Sequence, residues 1–369
     1  MSDEDEATDD GGDDGEERSA AEEMEFGDQP SALGVKVGST RTVVAAGDAS
    51  DPDVTQTLTC LATYDDALTG EEHVIYGEEA ATEYPDRVRY MLRSGLPEDE
   101  ETTGLAKRFF EEFAAANGLS ADSVVVYAIP TIDNEAGLAR LAEIIEDGPV
   151  GERRVASYPE SLCGAVPALG DGLDAIEDTF VAVNMGSTNL EACAYRRGEQ
   201  LAPFSTGAVT GSEVDRRIAN YVEEETQGRV NIDLTTAREY KEDHADFEDY
   251  EPFSDIIQQP GGGTYEFTIE DAVMDAVDEF VDDAVNEVAN IFMPEFANDY
   301  MKVYQQALDN PVVLTGGMAC IPGIVGEFED RLSEEVGREV EATTADRPET
   351  AAARGAHRIA ERLVDLGEY

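Results

Sequence analysis

The sequence predicts an α/β protein made of two similar halves that face a shared cleft. Three observations carry this expectation. Residues Val35–Thr40 read VKVGST and residues Val183–Thr188 read VNMGST, so one strand-and-turn unit occurs twice. Each copy leads into a second strand, Thr42–Ala46 after the first and Leu190–Tyr195 after the second, which is the pattern of a tight hairpin. Around them, short apolar runs such as SVVVYAI alternate with stretches of helical period such as NEAGLARLAEII.

Length and charge set the frame. A chain of 369 residues can hold two domains with cores of their own. It carries 83 acidic residues against 25 basic ones, for a net charge of −58, and only Lys36, Lys107, Lys241 and Lys302 are lysines. Such a surface suits a cytoplasm at molar salt, where the screening length falls to roughly 3 Å and self-repulsion is damped. The same charge disfavours binding to nucleic acid or to an anionic membrane surface. The acids are spread along the chain rather than set along one face, which counts against a nucleic-acid mimic.

Residues 1–30 hold almost no large apolar side chains and predict a disordered, solvating tail. The sequence shows no signal peptide and no apolar run approaching a membrane span. Cys60, Cys163, Cys193 and Cys320 are far apart and the three histidines are scattered, so a zinc site is disfavoured and a reduced cytoplasm fits.

The first hairpin follows the tail. Val54–Thr63 and His73–Tyr76 read as further strands, and Gly77 opens a helix, GEEAATEYPDRVRYML. Leu105–Asn117 is a helix whose stripe of Leu105, Phe109, Phe110 and Phe113 reads as core. Ser123–Ile129 is a buried strand ended by Pro130, and Asp133 is placed to cap the next helix. After a short strand, VASYP, Glu160 opens a helix of small residues, Cys163, Gly164 and Ala165. An acid in a first turn is favoured by the helix dipole, so Glu160 reads as a cap; it also reads as a carboxylate on a cleft floor that orients a water.

The second hairpin is a strand, Phe180–Met185, a turn of Gly186, Ser187, Thr188 and Asn189, and a second strand. Bare backbone N–H groups beside two hydroxyls are the chemistry of a phosphate cradle. One Gly-Ser-Thr turn is most often only a turn; two in matched strand context point to phosphate held from both sides. Neither is a GxxxxGK[ST] or GxGxxG loop. Beyond it come an amphipathic helix from near Glu213, a helical region Leu234–Glu248, a loop at Gln258–Thr264 and a long helix over Ile269–Phe292. NPVVLTGGMACIPGI then gives a strand, a glycine pair and a Pro-Gly before another helix; a strand-like REVEATT and the helix PETAAARGAHRIAERLVDL close the chain.

In this order, the two hairpins, the glutamate-led small-residue helix, GGMACIPGI and the closing Ala/Gly helix resemble the actin superfamily, from about Gly34 to the C-terminal helix. PES at Pro159–Ser161 is similar to plasmid-segregating actins; GEEA at Gly77–Ala80 and TAREYK at Thr236–Lys241 are similar to bacterial cell-shape actins such as MreB. With this acid-rich composition, the chain most resembles the haloarchaeal actins of the salactin and volactin type.

The resemblance implies an actin-like fold: a domain I of residues 31–178 completed by 343–369, and a domain II of 179–342, around a nucleotide cleft. It implies ATP and Mg²⁺ as ligands. Gly38, Ser39 and Thr40 would hold the phosphates from one side, and Gly186, Ser187 and Thr188 from the other. Glu160 would position the attacking water, as a glutamine does in eukaryotic actins. Lys241 and Glu242 would lie near ribose and adenine. Gly316, Gly317 and Met318 would let the backbone pass close to the nucleoside, with Cys320 and Ile321 against the base. Two positions depart from the family pattern. Lys36 and Asn184 each stand two residues before a hairpin glycine, where the superfamily carries an aspartate near the metal. Lys36 is expected either to offer its ammonium to the phosphates or to turn away and pair with a surface acid.

Three function classes follow. The first is a nucleotide-dependent cytoskeletal filament that self-associates, in cell shape or intracellular organisation, with hydrolysis open. The others are a non-hydrolysing nucleotide-binding scaffold and a small-molecule kinase of the same superfamily.

Overall fold

Both hairpins start five-stranded sheets of the same plan. The structure, a computed structural model, describes residues 29–48, 50–170, 173–258 and 262–369. The expected acidic tail lies outside the described residues except for Gln29 and Pro30, and Ser31–Tyr369 forms one compact unit.

In chain order, the first part holds β1 (Ser31–Val37), β2 (Arg41–Ala46), β3 (Asp53–Leu58), β4 (Cys60–Asp65), β5 (Glu72–Tyr76), α1 (Gly77–Glu83) and β6 (Arg89–Tyr90). It continues through α2 (Glu100–Ala116), β7 (Ser123–Ile129), α3 (Glu135–Glu146), β8 (Arg154–Pro159) and α4 (Glu160–Ala165). The second part holds β9 (Thr179–Met185), β10 (Leu190–Arg196), β11 (Glu199–Thr206), α5 (Gly211–Glu225), α6 (Leu234–His244), β12 (Phe253–Gln258) and β13 (Thr264–Ile269). There follow α7 (Ala272–Glu287), α8 (Met293–Ala307), β14 (Val312–Thr315), α9 (Ile324–Val336), β15 (Ala342–Thr344) and α10 (Pro348–Asp365).

The sheets run β3-β2-β1-β7-β8 and β11-β10-β9-β14-β15. In each, the hairpin strands and the strand beyond are antiparallel, and two parallel strands complete the other side. Apolar alternation explains why both faces are covered. Leu33, Val35 and Val37 pack with the Phe109, Phe110 and Phe113 stripe of α2 on one face of the first sheet. Ala32, Val124, Val126 and Ala128 meet α10 on the other. The second sheet buries Val181, Val183 and Leu314 against the helices that carry Ile218, Phe280, Phe296 and Phe328.

Helix α10 belongs with the first sheet, where its small residues let it lie against backbone. A Cβ on Gly34 would overlap the Ala353 carbonyl oxygen, and one on Gly355 would overlap that of Cys163 in α4.

Several elements differ from the sequence expectation for local reasons. Helix α1 stops at Glu83 because Pro85 follows, and Arg89–Tyr90 pairs with β4 instead. Helix α2 begins five residues before Leu105, because Asp99 forms a capping box with Thr102. Asn134, not Asp133, caps α3 through a bond accepted from the Gly137 N–H at 2.9 Å. The expected strand Val54–Thr63 breaks at Thr59, whose N–H donates to the Thr40 carbonyl at 2.8 Å, so its two parts enter different sheets. The region expected as helix to Glu248 ends at His244, and a hairpin, β12–β13, flanks the Gln258–Thr264 loop. The long helix starts at Ala272, and a π-helical turn, Val288–Phe292, joins α7 to α8.

Candidate functional site

The two hairpins use the same turn. The Gly38 N–H donates to the Arg41 carbonyl at 3.1 Å, and the Gly186 N–H donates to the Asn189 carbonyl at 2.9 Å. A Cβ at Gly38 would stand 2.8 Å from Arg41 O, and one at Gly186 2.9 Å from Asn189 O, so each glycine is fixed by a close backbone approach. The tips face each other. Ser39 Oγ and Thr188 Oγ1 are 3.1 Å apart, and the Thr40 hydroxyl donates to Ser187 Oγ at 2.9 Å.

Helix α5 docks on the second hairpin. The Gly211 and Ser212 N–H groups donate to the Gly186 and Ser187 carbonyls at 3.0 and 2.9 Å, after Thr210 caps the helix. The positive end of its dipole therefore adds to the group of hydroxyls at the hairpin tips, an arrangement suited to an anion.

These groups line a cleft of about 620 Å³, large enough for a nucleotide. Of the residues singled out from sequence, Lys36, Gly38, Ser39, Thr40, Gly186, Ser187, Thr188, Lys241, Glu242, Gly317, Met318, Cys320 and Ile321 line it. Asn184, Gly316 and Glu160 are not among its lining residues. Gly316 takes φ 92°, and a Cβ there would come within 2.6 Å of Asn184 Oδ1 and of the Met185 carbonyl. Gly317 has open space where a Cβ would go. Glu160 sits at the α4 N-terminus, 3.0 Å from Lys36 Nζ.

Lys36 lines the cleft, and its ammonium engages Glu160, with the two side chains 18% and 13% exposed. The reason is register. Lys36 on β1 pairs with Ala128 on β7, and β8, the next strand, runs directly into Glu160.

At the other end, Lys241 is buried, donates to the Gly211 carbonyl at 3.0 Å and pairs with Asp215. Burial raises the Asp215 carboxyl, an effect opposed by the Lys241 charge. Glu242 reaches across the cleft to Arg41 at 3.2 Å. Leu234, Ala245, Ile321 and Pro322 supply an apolar wall, and Arg238 lines it with no ion pair among the described residues. Sequence reasoning missed Arg41, Asp215 and Arg238, which meet the site only through folding.

It also missed Glu191, for which a signal existed: a single charge inside the apolar strand LEACAY. Glu191 is wholly buried, accepts a hydrogen bond from Asn189 Nδ2, and leaves Oε2 without a partner. Burial first, and the nearby Glu160 charge second, push its carboxyl up to about 8.

The described residues hold no group of three or more His, Cys, Asp or Glu that could form a metal cage, and no helix long and apolar enough to cross a membrane. Magnesium in phosphate sites keeps several waters and needs few protein oxygens. Asn184 Oδ1, buried and without a hydrogen-bond partner, is an oxygen that fits such a water shell.

A family model described as Salactin matches residues 30–364. Salactin of Halobacterium salinarum is 87% identical over 360 residues, spanning 97% of this chain and 99% of that protein. Among solved structures, the MamK double helical filament aligns with a TM-score of 0.70 at 19% identity, over 89% of this chain and 98% of that one. MreB5 of Spiroplasma citri bound to ADP aligns with a TM-score of 0.71 at 16% identity, over 92% and 98%. These likenesses show that the fold is actin-like.

Proposed function

The chain belongs to the salactin family, and from that premise we propose that it is an ATP-binding, actin-like cytoskeletal protein that self-associates into filaments. The observation that carries the proposal is the pair of identical hairpin turns facing each other across one cleft. Further support comes from relatives of the same fold, one a double helical filament and one bound to ADP. The two halves of the cleft are residues 31–178 with 343–369, and residues 179–342.

In this proposal the Gly38–Thr40 and Gly186–Thr188 turns hold the β- and γ-phosphates by N–H and O–H donors. The apolar wall of Ile321 and Leu234 takes the base, with Lys241 and Glu242 beside the ribose. Met318 and the Gly316–Gly317 pair let the main chain pass close to the nucleoside. Magnesium, when bound, neutralises charge on the phosphates, and Asn184 Oδ1 is the oxygen this chain offers to its water shell. Glu160 orients a water in line with the γ-phosphorus, so that hydrolysis rests on positioning and electrostatics. The setting is a cytoplasm at high salt, where the charge of −58 is screened.

A second proposal, a scaffold that binds ATP without hydrolysing it, is favoured by the Lys36 ion pair, which engages the Glu160 carboxylate. Equilibrium binding in molar KCl tests the common premise. ATP is expected to bind with one site per chain, and Gly186→Val, which crowds the turn, to lose it. Binding that survives Gly186→Val would place the nucleotide elsewhere.

A further inference from the structure

The Lys36–Glu160 pair does not stand alone. Glu191 lies close enough for the Glu160 charge to act on it, and it is held in place by Asn189 of the second hairpin. Two ionisable groups, from β1 and α4, meet as an ion pair beside the first phosphate turn. The hydroxyls that face across the cleft are those of Ser39, Thr40, Ser187 and Thr188, not the ammonium. The Lys36 stem runs alongside Gly38, its Cε 3.2 Å from where a Cβ there would stand, and so its Nζ is delivered to Glu160.

We infer that Lys36 is a positioning residue for hydrolysis, acting on the Glu160 carboxylate rather than on phosphate. The inference rests on the nucleotide-site proposal above.

Charge supports the geometry. The Glu191 carboxyl is raised by burial first and by the Glu160 charge second. The neighbouring thiols, Cys163 in α4 and Cys193 in β10, are also raised by burial and stay neutral. One ammonium thus faces one carboxylate, with both side chains only partly exposed. The ion pair, 3.0 Å long and with both side chains largely buried, holds the Glu160 carboxylate beside the ammonium. Without it, the carboxylate is left beside Glu191 with no counter-charge and swings to other rotamers.

The test uses the full chain in molar KCl, with ATP affinity measured in Mg²⁺ and in EDTA, and phosphate release followed under saturating ATP. Lys36→Met is expected to hold ATP within about threefold of the wild type in both conditions, because no phosphate contact is lost. Its maximal rate is expected to fall on the order of tenfold or more, as misplacement of a positioned group does. Lys36→Arg, which keeps the charge, is expected to recover most of that loss. Adding Lys36→Met to Glu160→Ala is expected to cost nothing further, since one acts through the other.

A loss of ATP affinity above tenfold in EDTA would make Lys36 a phosphate ligand and overturn the inference. So would a Lys36→Met rate equal to the wild type's, or losses that multiply in the double variant. A wild type that binds ATP but releases no phosphate also overturns it and leaves the scaffold; one that binds no nucleotide defeats the nucleotide-site proposal itself.

Discussion

Replacing Glu160 by alanine is expected to slow phosphate release on the order of 10²-fold while ATP stays bound. The effect is expected to be large because Glu160, at the start of α4, is ion-paired to Lys36, which lines the cleft beside the first hairpin turn. Glu191 does not replace it, since it is wholly buried and that burial raises its carboxyl. The fold tolerates the change: the Lys36 ammonium is not sealed and reaches water once its partner is gone. Filaments formed with ATP are then expected to outlast those of the wild type. Phosphate release at the wild-type rate would return Glu160 to the role of a helix cap.

The second large effect is on stability. Gly355→Ala places a methyl group on the Cys163 carbonyl oxygen, where α10 crosses α4. Two backbones meet there, so neither a rotamer change nor a flexible side chain relieves the clash. Such overpacking typically costs about 1–3 kcal/mol, and more where backbone atoms clash as here, a sizeable part of a typical total of about 5–15 kcal/mol. Gly326→Ala, in α9 with open space at the Cβ position, is the contrast, expected to change stability by less than about 1 kcal/mol. Urea midpoints at fixed KCl read both. A Gly355→Ala midpoint equal to the wild type's would contradict the close α10–α4 contact. Because α4 begins at Glu160, a partly folded variant is expected to lose phosphate release as well.

The fold was legible where the signal is local. Both hairpins are written in six residues each, and the glycine turns that define them depend only on neighbours three positions on. The aromatic stripe of α2 announced its burial by helical spacing, and Phe109, Phe110 and Phe113 are all buried. Boundaries were less legible, because single residues decide them. Asp99 starts a helix early, and Pro85 stops one short. The β12–β13 pair alternates strictly, with every second residue exposed, but each strand is only six residues long and the pair sits between two helical stretches that mask it.

Within the site, residue types were legible and directions were not. Lys36 could be named as the odd residue before the first glycine, yet its partner is set by the order β1-β7-β8, a tertiary fact. Asp215, one helical turn into α5, acquires meaning only when Lys241 arrives from α6. Arg41 follows Thr40 directly, but Glu242, its partner across the cleft, is two hundred residues away in the chain.

Sedimentation in molar KCl, with ATP, with ADP and with no nucleotide, tests most directly whether this cleft governs assembly. The account expects the chain to pellet as filaments with ATP and to stay in the supernatant without nucleotide, with Gly186→Val soluble throughout. Equal pelleting in all three conditions, or filaments of Gly186→Val with no nucleotide bound, would contradict it.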